Sequence, residues 1–296
     1  MVLLAADGVA IEAVYEPADF DADVTQDAAG RVPVTVVAHG FTGSAGRPHV
    51  RRAAAVFRRY GAVITFSFRG HGASGGRSTV GDREVLDLAA AVAWARRLGH
   101  RTVWTVGFSM GGSVVLRHAA LYRAGVPGGR GSAHADVQGS AHDDVQGSAP
   151  IDGHGSAHAD LHGPAHTDAV VAVSAPARWY YRGTAAMRRL HWVVTRPLGR
   201  AVGRYGLRTR IHTSDWDPVP LDPAEAAARI APTPLLLVHG DRDPYFPLDH
   251  PRALATAAGP AADLWLEPGM GHAENAADEA LLARIGDWAA RRAPGG

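Results

Sequence analysis

Three separate stretches of this chain carry a serine, an acid and a histidine that could together do nucleophilic chemistry. Ser109 sits in Gly107-Phe108-Ser109-Met110-Gly111, a G-x-S-x-G pentapeptide entered by an apolar run from Val103. Asp241 and Asp243 share the turn His239-Gly240-Asp241-Arg242-Asp243-Pro244, and His272 closes Gly269-Met270-Gly271-His272. A hydroxyl is a poor nucleophile at neutral pH. It needs a base within hydrogen-bond reach, and that base needs a buried anion to fix its tautomer and stabilise its cation. Serine, acid, histidine is one of the chain orders in which such a triad occurs.

Each of these residues needs an element to hold it. Residues 103–112 read as a buried strand, a sharp turn at Ser109 and the start of a helix. A serine at the tip of so tight a turn is strained, and a Cβ at Gly107 or Gly111 would collide with neighbouring backbone. The turn lifts Oγ out of the sheet, and the following helix N-terminus turns its N–H groups towards it. In a chain with 35 glycines the pentapeptide draws its weight from this placement, not from its letters.

Around that stretch, β-branched runs at 32–38 and 62–68 alternate with helical spacing at Val50, Ala54, Phe57 and at Val85, Leu88, Val92, Ala95. The order predicts an α/β fold, a mostly parallel sheet with helices on both faces. Two short strands flank a turn at Asp7-Gly8, and an exposed loop is expected over 17–30. Further strands are expected over 169–174, 235–238 and 263–266. Helices are expected after Asp222-Pro223, around 251–258, and in a last segment bearing Leu281, Leu282, Ile285 and Trp288.

Two stretches break the alternation. From 131 to 168 an eight-residue repeat (GSAHADVQ, GSAHDDVQ, GSAPIDGH, GSAHADLH, GPAHTD) carries six histidines and six aspartates. It has almost no large apolar side chain to offset its ordering entropy, so a disordered surface insertion is expected. Its histidines and aspartates could together hold a divalent metal weakly, the alternative reading, but their spacing presents no preorganised metal shell. From 177 to 219, Trp179, Tyr180, Tyr181, Trp192, Tyr205 and Trp216 interleave with arginines, and 177–212 holds nine arginines and no acid. A small helical cap is expected there. Its arginines read most simply as a solvated face, helped by a coding bias that makes all 30 basic residues arginine; the sharper reading is a site for an anionic substrate or surface. The expected organisation is a core of 1–176 and 220–296, an insertion at about 128–168, and a cap of 177–219.

Composition narrows the class. With 296 residues, 46% of them hydrophobic, the chain can bury the core of one large domain. A net charge of +1 implies no nucleic-acid-binding field. The absence of cysteine excludes a disulfide or a thiol nucleophile. The N-terminal apolar run stops at Asp7 without a basic region before it, and no apolar run approaches the ~20 residues of a membrane span. A cytoplasmic protein is expected.

Five stretches then act together: HGFTGS at 39–44, FRGHGASGG at 68–76, GFSMGG at 107–112, HGDRDPYFP at 239–247 and GMGH at 269–272. In this order and spacing the chain resembles the α/β-hydrolase fold superfamily, in a serine esterase or lipase-like branch with a small cap. The resemblance implies Ser109 as nucleophile, His272 as general base and then acid, and Asp243 rather than Asp241 as orienting carboxylate. It also implies an oxyanion hole from the backbone N–H groups of Phe41 and Met110, and structural duties for His39, Arg69, His71 and His239. The aspartate often found two residues before that arginine is Ser67 here. No cofactor or metal is implied, and the expected partner is a small-molecule ester cleaved through an acyl-enzyme. Thioesterases, amidases, peptidases and acyltransferases share the triad and stay open at this point, as does, less favoured, a binding protein without catalysis.

Overall fold

The computed structural model describes residues 1–19, 32–123 and 165–292. Most of the loop expected over 17–30, and the histidine-rich repeat up to residue 164, lie outside them. Strands β1 (Val2–Leu4) and β2 (Ala10–Glu16) form a hairpin around the Asp7-Gly8 turn. They are followed by β3 (Val34–Ala38), helix α1 (Pro48–Phe57), β4 (Ala62–Phe66), α2 (Glu84–Arg97), β5 (Val103–Phe108) and α3 (Met110–Leu121). After β6 (Ala169–Val173) come α4 (Ala185–Thr195), α5 (Pro197–Tyr205) and α6 (Pro223–Ala227). The chain then closes with β7 (Leu235–Gly240), α7 (Asp249–Ala258), β8 (Ala262–Glu267), α8 (Ala273–Ala276) and α9 (Glu279–Arg292).

The eight strands make one sheet in the order β1-β2-β4-β3-β5-β6-β7-β8. β2 meets β4 antiparallel, and every pairing from β4 onwards is parallel. β3, β4, β5, β6 and β7 are buried at every position, which is why they read as unbroken apolar runs. Successive side chains serve opposite layers. Val34, Val36, Leu235 and Leu237 pack towards α2, α3 and α6, whereas Val37, Val106, Leu236 and Val238 pack towards α1 and α9. Because the strands are parallel, the loops leaving β3, β5, β7 and β8 all emerge at one edge of the sheet.

Two local differences from the sequence expectation have simple causes. Helix α8 is a single turn beginning next to His272, too short to carry a periodic signal. Thr167 and Asp168, read in the sequence as the tail of the repeat, are tied to the sheet instead. Asp168 Oδ2 accepts from Val103 N–H at 2.7 Å and from Arg96 at 2.7 Å, and the buried Thr167 hydroxyl donates to Val103 O at 3.0 Å.

The 177–219 stretch contains α4 and α5, which lie over the sheet edge from which those loops emerge. Thr184 caps α4 by accepting from Met187 N–H at 3.2 Å, and Pro197 opens α5. The returning chain is stitched to the core beyond β4. Ser78 N–H donates to Arg210 O at 2.7 Å, and His212 N–H donates to Ser78 O at 2.8 Å. Asp222 then caps α6 from the position its Asp-Pro pair predicts, accepting from Ala224 N–H at 3.2 Å.

Candidate active site

Ser109 stands between β5 and α3 with φ at +51°, the left-handed region that costs a non-glycine residue energy. Packing holds it there. Its N–H donates to Val173 O at 2.8 Å, and its carbonyl accepts from Ser113 N–H at 3.2 Å. The turn is tight enough that a Cβ on Gly107 would strike the backbone of Gly111, and one on Gly111 would strike the carbonyls of Ala38 and His39. The two glycines therefore let the serine turn nest against the end of β3.

The structure brings Ser109, Asp243 and His272 together from loops 134 and 29 residues apart in sequence. His272 Nε2 lies 2.8 Å from Ser109 Oγ, and His272 Nδ1 lies 2.7 Å from Asp243 Oδ2. A carboxylate can only accept, so Nδ1 carries the proton and Nε2 presents its lone pair to the serine hydroxyl. Asp243 is fully buried, and its Oδ1 accepts from the N–H groups of Tyr245 at 2.8 Å and Phe246 at 3.1 Å. Burial alone would raise its pKa; the hydrogen bond and charge of His272, with those two N–H groups, outweigh it and hold the carboxyl below its ordinary value. Asp241, the other acid of the turn, is exposed and accepts from Gly269 N–H at 2.7 Å, tying the acid loop to the histidine loop.

Phe41 and Met110 line the same cavity as Ser109. The loop bearing Phe41 is held by two imidazoles. His39 Nδ1–H donates to Gly40 O at 2.7 Å while its Nε2 accepts from Phe68 N–H at 3.0 Å. His71 Nδ1–H donates to Arg69 O at 3.0 Å while its Nε2 accepts from Thr42 N–H at 3.2 Å. Both use one nitrogen as donor and the other as acceptor, which only a neutral ring can do. Burial, with His71 nearby, pushes His39 down to about 3. Arg69 is buried between two carboxylates, Asp87 at 2.7 Å and Asp7 at 2.6 Å. At Ser67, where the resemblance led to an expected aspartate, a carboxylate arrives from another strand: Ser67 Oγ–H donates to Glu12 Oε2 at 2.8 Å. His239 packs inside the acid turn and donates from Nε2 to Phe246 O at 2.8 Å.

Two residues outside the sequence expectation hold the site together. Glu274, two residues past His272, is buried and accepts from Gly40 N–H at 2.9 Å, joining the His272 loop to the Phe41 loop. Ser174, at φ +51°, accepts Ala273 N–H at 3.0 Å and so anchors the residue after His272. Neither lies in a motif, and a single glutamate or serine leaves no periodic signal. His272 is also flanked by Tyr245, with ring centroids 4.4 Å apart.

The site opens into a cavity of about 400 Å³. The cap supplies most of its wall, including Trp179, Tyr180, Tyr181, Leu190 and Trp216. Trp216 stacks edge-on against Trp179 at 5.0 Å and anchors its Nε1–H on Thr79 O at 2.7 Å. The Thr79 loop is itself wound around buried Glu84, whose carboxylate accepts from Ser78 Oγ and Thr79 Oγ1, both at 2.7 Å, and from Gly81 N–H at 3.0 Å. Among the described residues no three histidine, aspartate or glutamate side chains gather to hold a metal.

With a parallel sheet whose strand-end loops converge on one serine, this chain has the α/β-hydrolase fold. Residues 33–130 match the family model described as alpha/beta hydrolase fold. An esterase from Pyrococcus furiosus is 20% identical with a TM-score of 0.64, the alignment covering 98% of this chain and 91% of that one. Est1E from Butyrivibrio proteoclasticus, in a structure with ferulic acid bound, is 17% identical at a TM-score of 0.57, covering 98% and 97%. A serine hydrolase from Xanthomonas campestris described as having no lid is 18% identical at 0.57, covering 100% and 95%. A search of curated proteins found no match.

Proposed function

We propose that this protein is a serine hydrolase that cleaves a carboxylic ester through an acyl-enzyme. The observation that carries the reading is the unbroken hydrogen-bond chain from Asp243 through His272 to Ser109, opening on a largely apolar cavity. In this reading Ser109 Oγ attacks the ester carbonyl as His272 Nε2 takes its proton, and buried Asp243 stabilises the imidazolium. The oxyanion is received by the N–H groups of Met110 and Phe41, each worth ~3–4 kcal/mol of barrier in measured cases of other enzymes. His272 then gives its proton to the departing alkoxide, leaving Ser109 acylated. Water, deprotonated by the same nitrogen, attacks the acyl carbonyl; the bond to Ser109 Oγ then breaks, Oγ takes the proton from His272, and the acid is released.

The aromatic wall favours an ester with an apolar or aromatic group of small to medium size. Est1E, whose structure holds an aromatic acid, gives that preference a precedent in the same fold. A fluorophosphonate probe tests the reading directly. Wild-type protein is expected to label and Ser109→Ala protein is not, and a panel of chromogenic esters, thioesters and anilides would rank the leaving groups. Folded wild-type protein that neither labels nor turns over any ester would overturn it.

A further inference from the structure

Helix α5 packs against the rest of the cap through its smallest residues. Gly199 and Gly203 are its buried positions. A Cβ at Gly199 would strike Trp192 O of α4, and one at Gly203 would stand 2.9 Å from Ile211 Cδ1. The large apolar side chains point elsewhere: Leu198, Val202 and Tyr205 are 68%, 43% and 77% exposed. At spacings of four and three residues they form one stripe on the helix. Arg200 lies on the far side of the helix from it, half-buried and bonded to Thr195 O at 3.0 Å, whereas exposed Arg204 reaches back over the Tyr205 ring at 5.6 Å. Trp192 of α4 is also exposed, while Leu190 and Val194 of the same helix line the cavity. A surface helix ordinarily buries its apolar stripe; one that presents it marks an interaction face.

Charge indicates what covers that face. Among the described residues, Arg178 is the one arginine of 177–212 paired with a carboxylate, Asp249 at 2.7 Å. Arg188 and Arg200 turn to backbone carbonyls, and Arg204 lies over the Tyr205 ring at 5.6 Å. At the average acid density of the chain, about three or four carboxylates would fall in this stretch, and none does. Coding bias can exchange lysine for arginine, but it does not remove aspartate and glutamate. An apolar stripe among guanidinium groups without carboxylates is complementary to an anionic bilayer surface. The apolar side chains enter the headgroup boundary and the arginines meet lipid phosphates. Among the described residues no helix is long and apolar enough to cross a membrane, so the contact is with the surface.

We infer that the outer face of the cap, centred on Leu198, Val202 and Tyr205 with Arg196 and Arg204, docks the protein on anionic phospholipid bilayers. This inference does not depend on the catalytic reading. The test is sedimentation of the full chain with vesicles of phosphatidylcholine alone or with about a third phosphatidylglycerol. Binding is expected to the anionic vesicles only, weakened more than tenfold by raising salt, with a blue shift of tryptophan emission that Trp192→Phe diminishes. The double variant Arg196→Gln, Arg204→Gln should bind about twenty-five-fold more weakly, from roughly fivefold per arginine near an anionic surface. Leu198→Ser with Tyr205→Ser should weaken binding at least ~10-fold. These positions are exposed, so unchanged circular dichroism and unfolding temperature verify the variants. Absence of binding at low salt, equal binding to neutral vesicles, or wild-type binding by both variants would overturn the inference. So would a concentration-dependent dimer that Tyr205→Ser abolishes, or retention on heparin without vesicle binding.

Discussion

The strand-end loops and the cap solve opposite problems a few ångströms apart. In the loops, the polar side chains that matter are buried and partnered across long sequence distances: His39 on Phe68, Glu274 on Gly40, Asp243 on His272. In the cap, large apolar side chains stand in the open, and Arg188 and Arg200, in a stretch (177–212) without acids of its own, turn to backbone carbonyls. The proton relay of the proposed mechanism would tolerate little misplacement, and the groups assigned to it are clamped by directional bonds. A surface that lines a substrate cavity on one side and faces the surroundings on the other needs shape and charge more than fixed geometry. The core therefore carries rigidity, and in the proposed reading the cap carries recognition.

That division can be broken at several depths. Ser109→Ala should lower kcat/KM for a short ester by ~10⁴-fold or more with an unchanged unfolding midpoint; a loss as large from Trp179→Ala would erase the distinction. Acid should next weaken the core. Burial, aided by His71, His166 and Arg178 respectively, pushes His39 and His118 down to about 3 and His250 to about 4, from an ordinary 6.5. The unfolded chain then binds protons that the native state refuses. Their contribution is complete above pH ~6.5 and falls by up to ~1.4 kcal/mol per pH unit for each group down to pH ~3–4. Denaturant midpoints at descending pH measure the slope, and His118→Phe should make it shallower, because both ring nitrogens of that buried histidine lack a partner among the described residues.

Smaller effects belong to the cap. Trp216→Ala removes a cavity wall and the bond to Thr79 O, and should raise KM by ~10-fold with kcat within ~2-fold. Steady-state kinetics on the best ester of the panel would show it, and a fall in kcat alone would place Trp216 with the relay instead. Tyr205→Ser, 77% exposed, should change stability by no more than ~0.5 kcal/mol in a denaturant titration. A loss of several kcal/mol would mean that the stripe on α5 is part of the fold.

How much was legible in the sequence differs along the same line. The strands were readable because a parallel sheet covered on both faces needs unbroken β-branched runs, and 34–38, 62–66 and 103–108 are such runs. The serine turn was readable because its two glycines are demanded by close backbone approach. Glu274 and Ser174 were not, since each acts by one hydrogen bond to a segment far away in sequence. Nor was the supply of a carboxylate to Ser67 by Glu12, which depends on β2 lying beside β4. In the cap, composition announced arginines and aromatics, but only packing showed that α5 turns glycine inward and leucine outward.

By itself, then, the amino-acid order determined a parallel α/β sheet and nominated Ser109, His272 and a two-aspartate turn, because local sterics and hydrophobic period are written in neighbouring residues. The family resemblance favoured Asp243 over Asp241, and it is Asp243 that meets the imidazole; tertiary structure alone decided which way the cap helices face. Distances between side chains from remote loops are set by how strands stack and loops pack, and no stretch of sequence contains that information on its own.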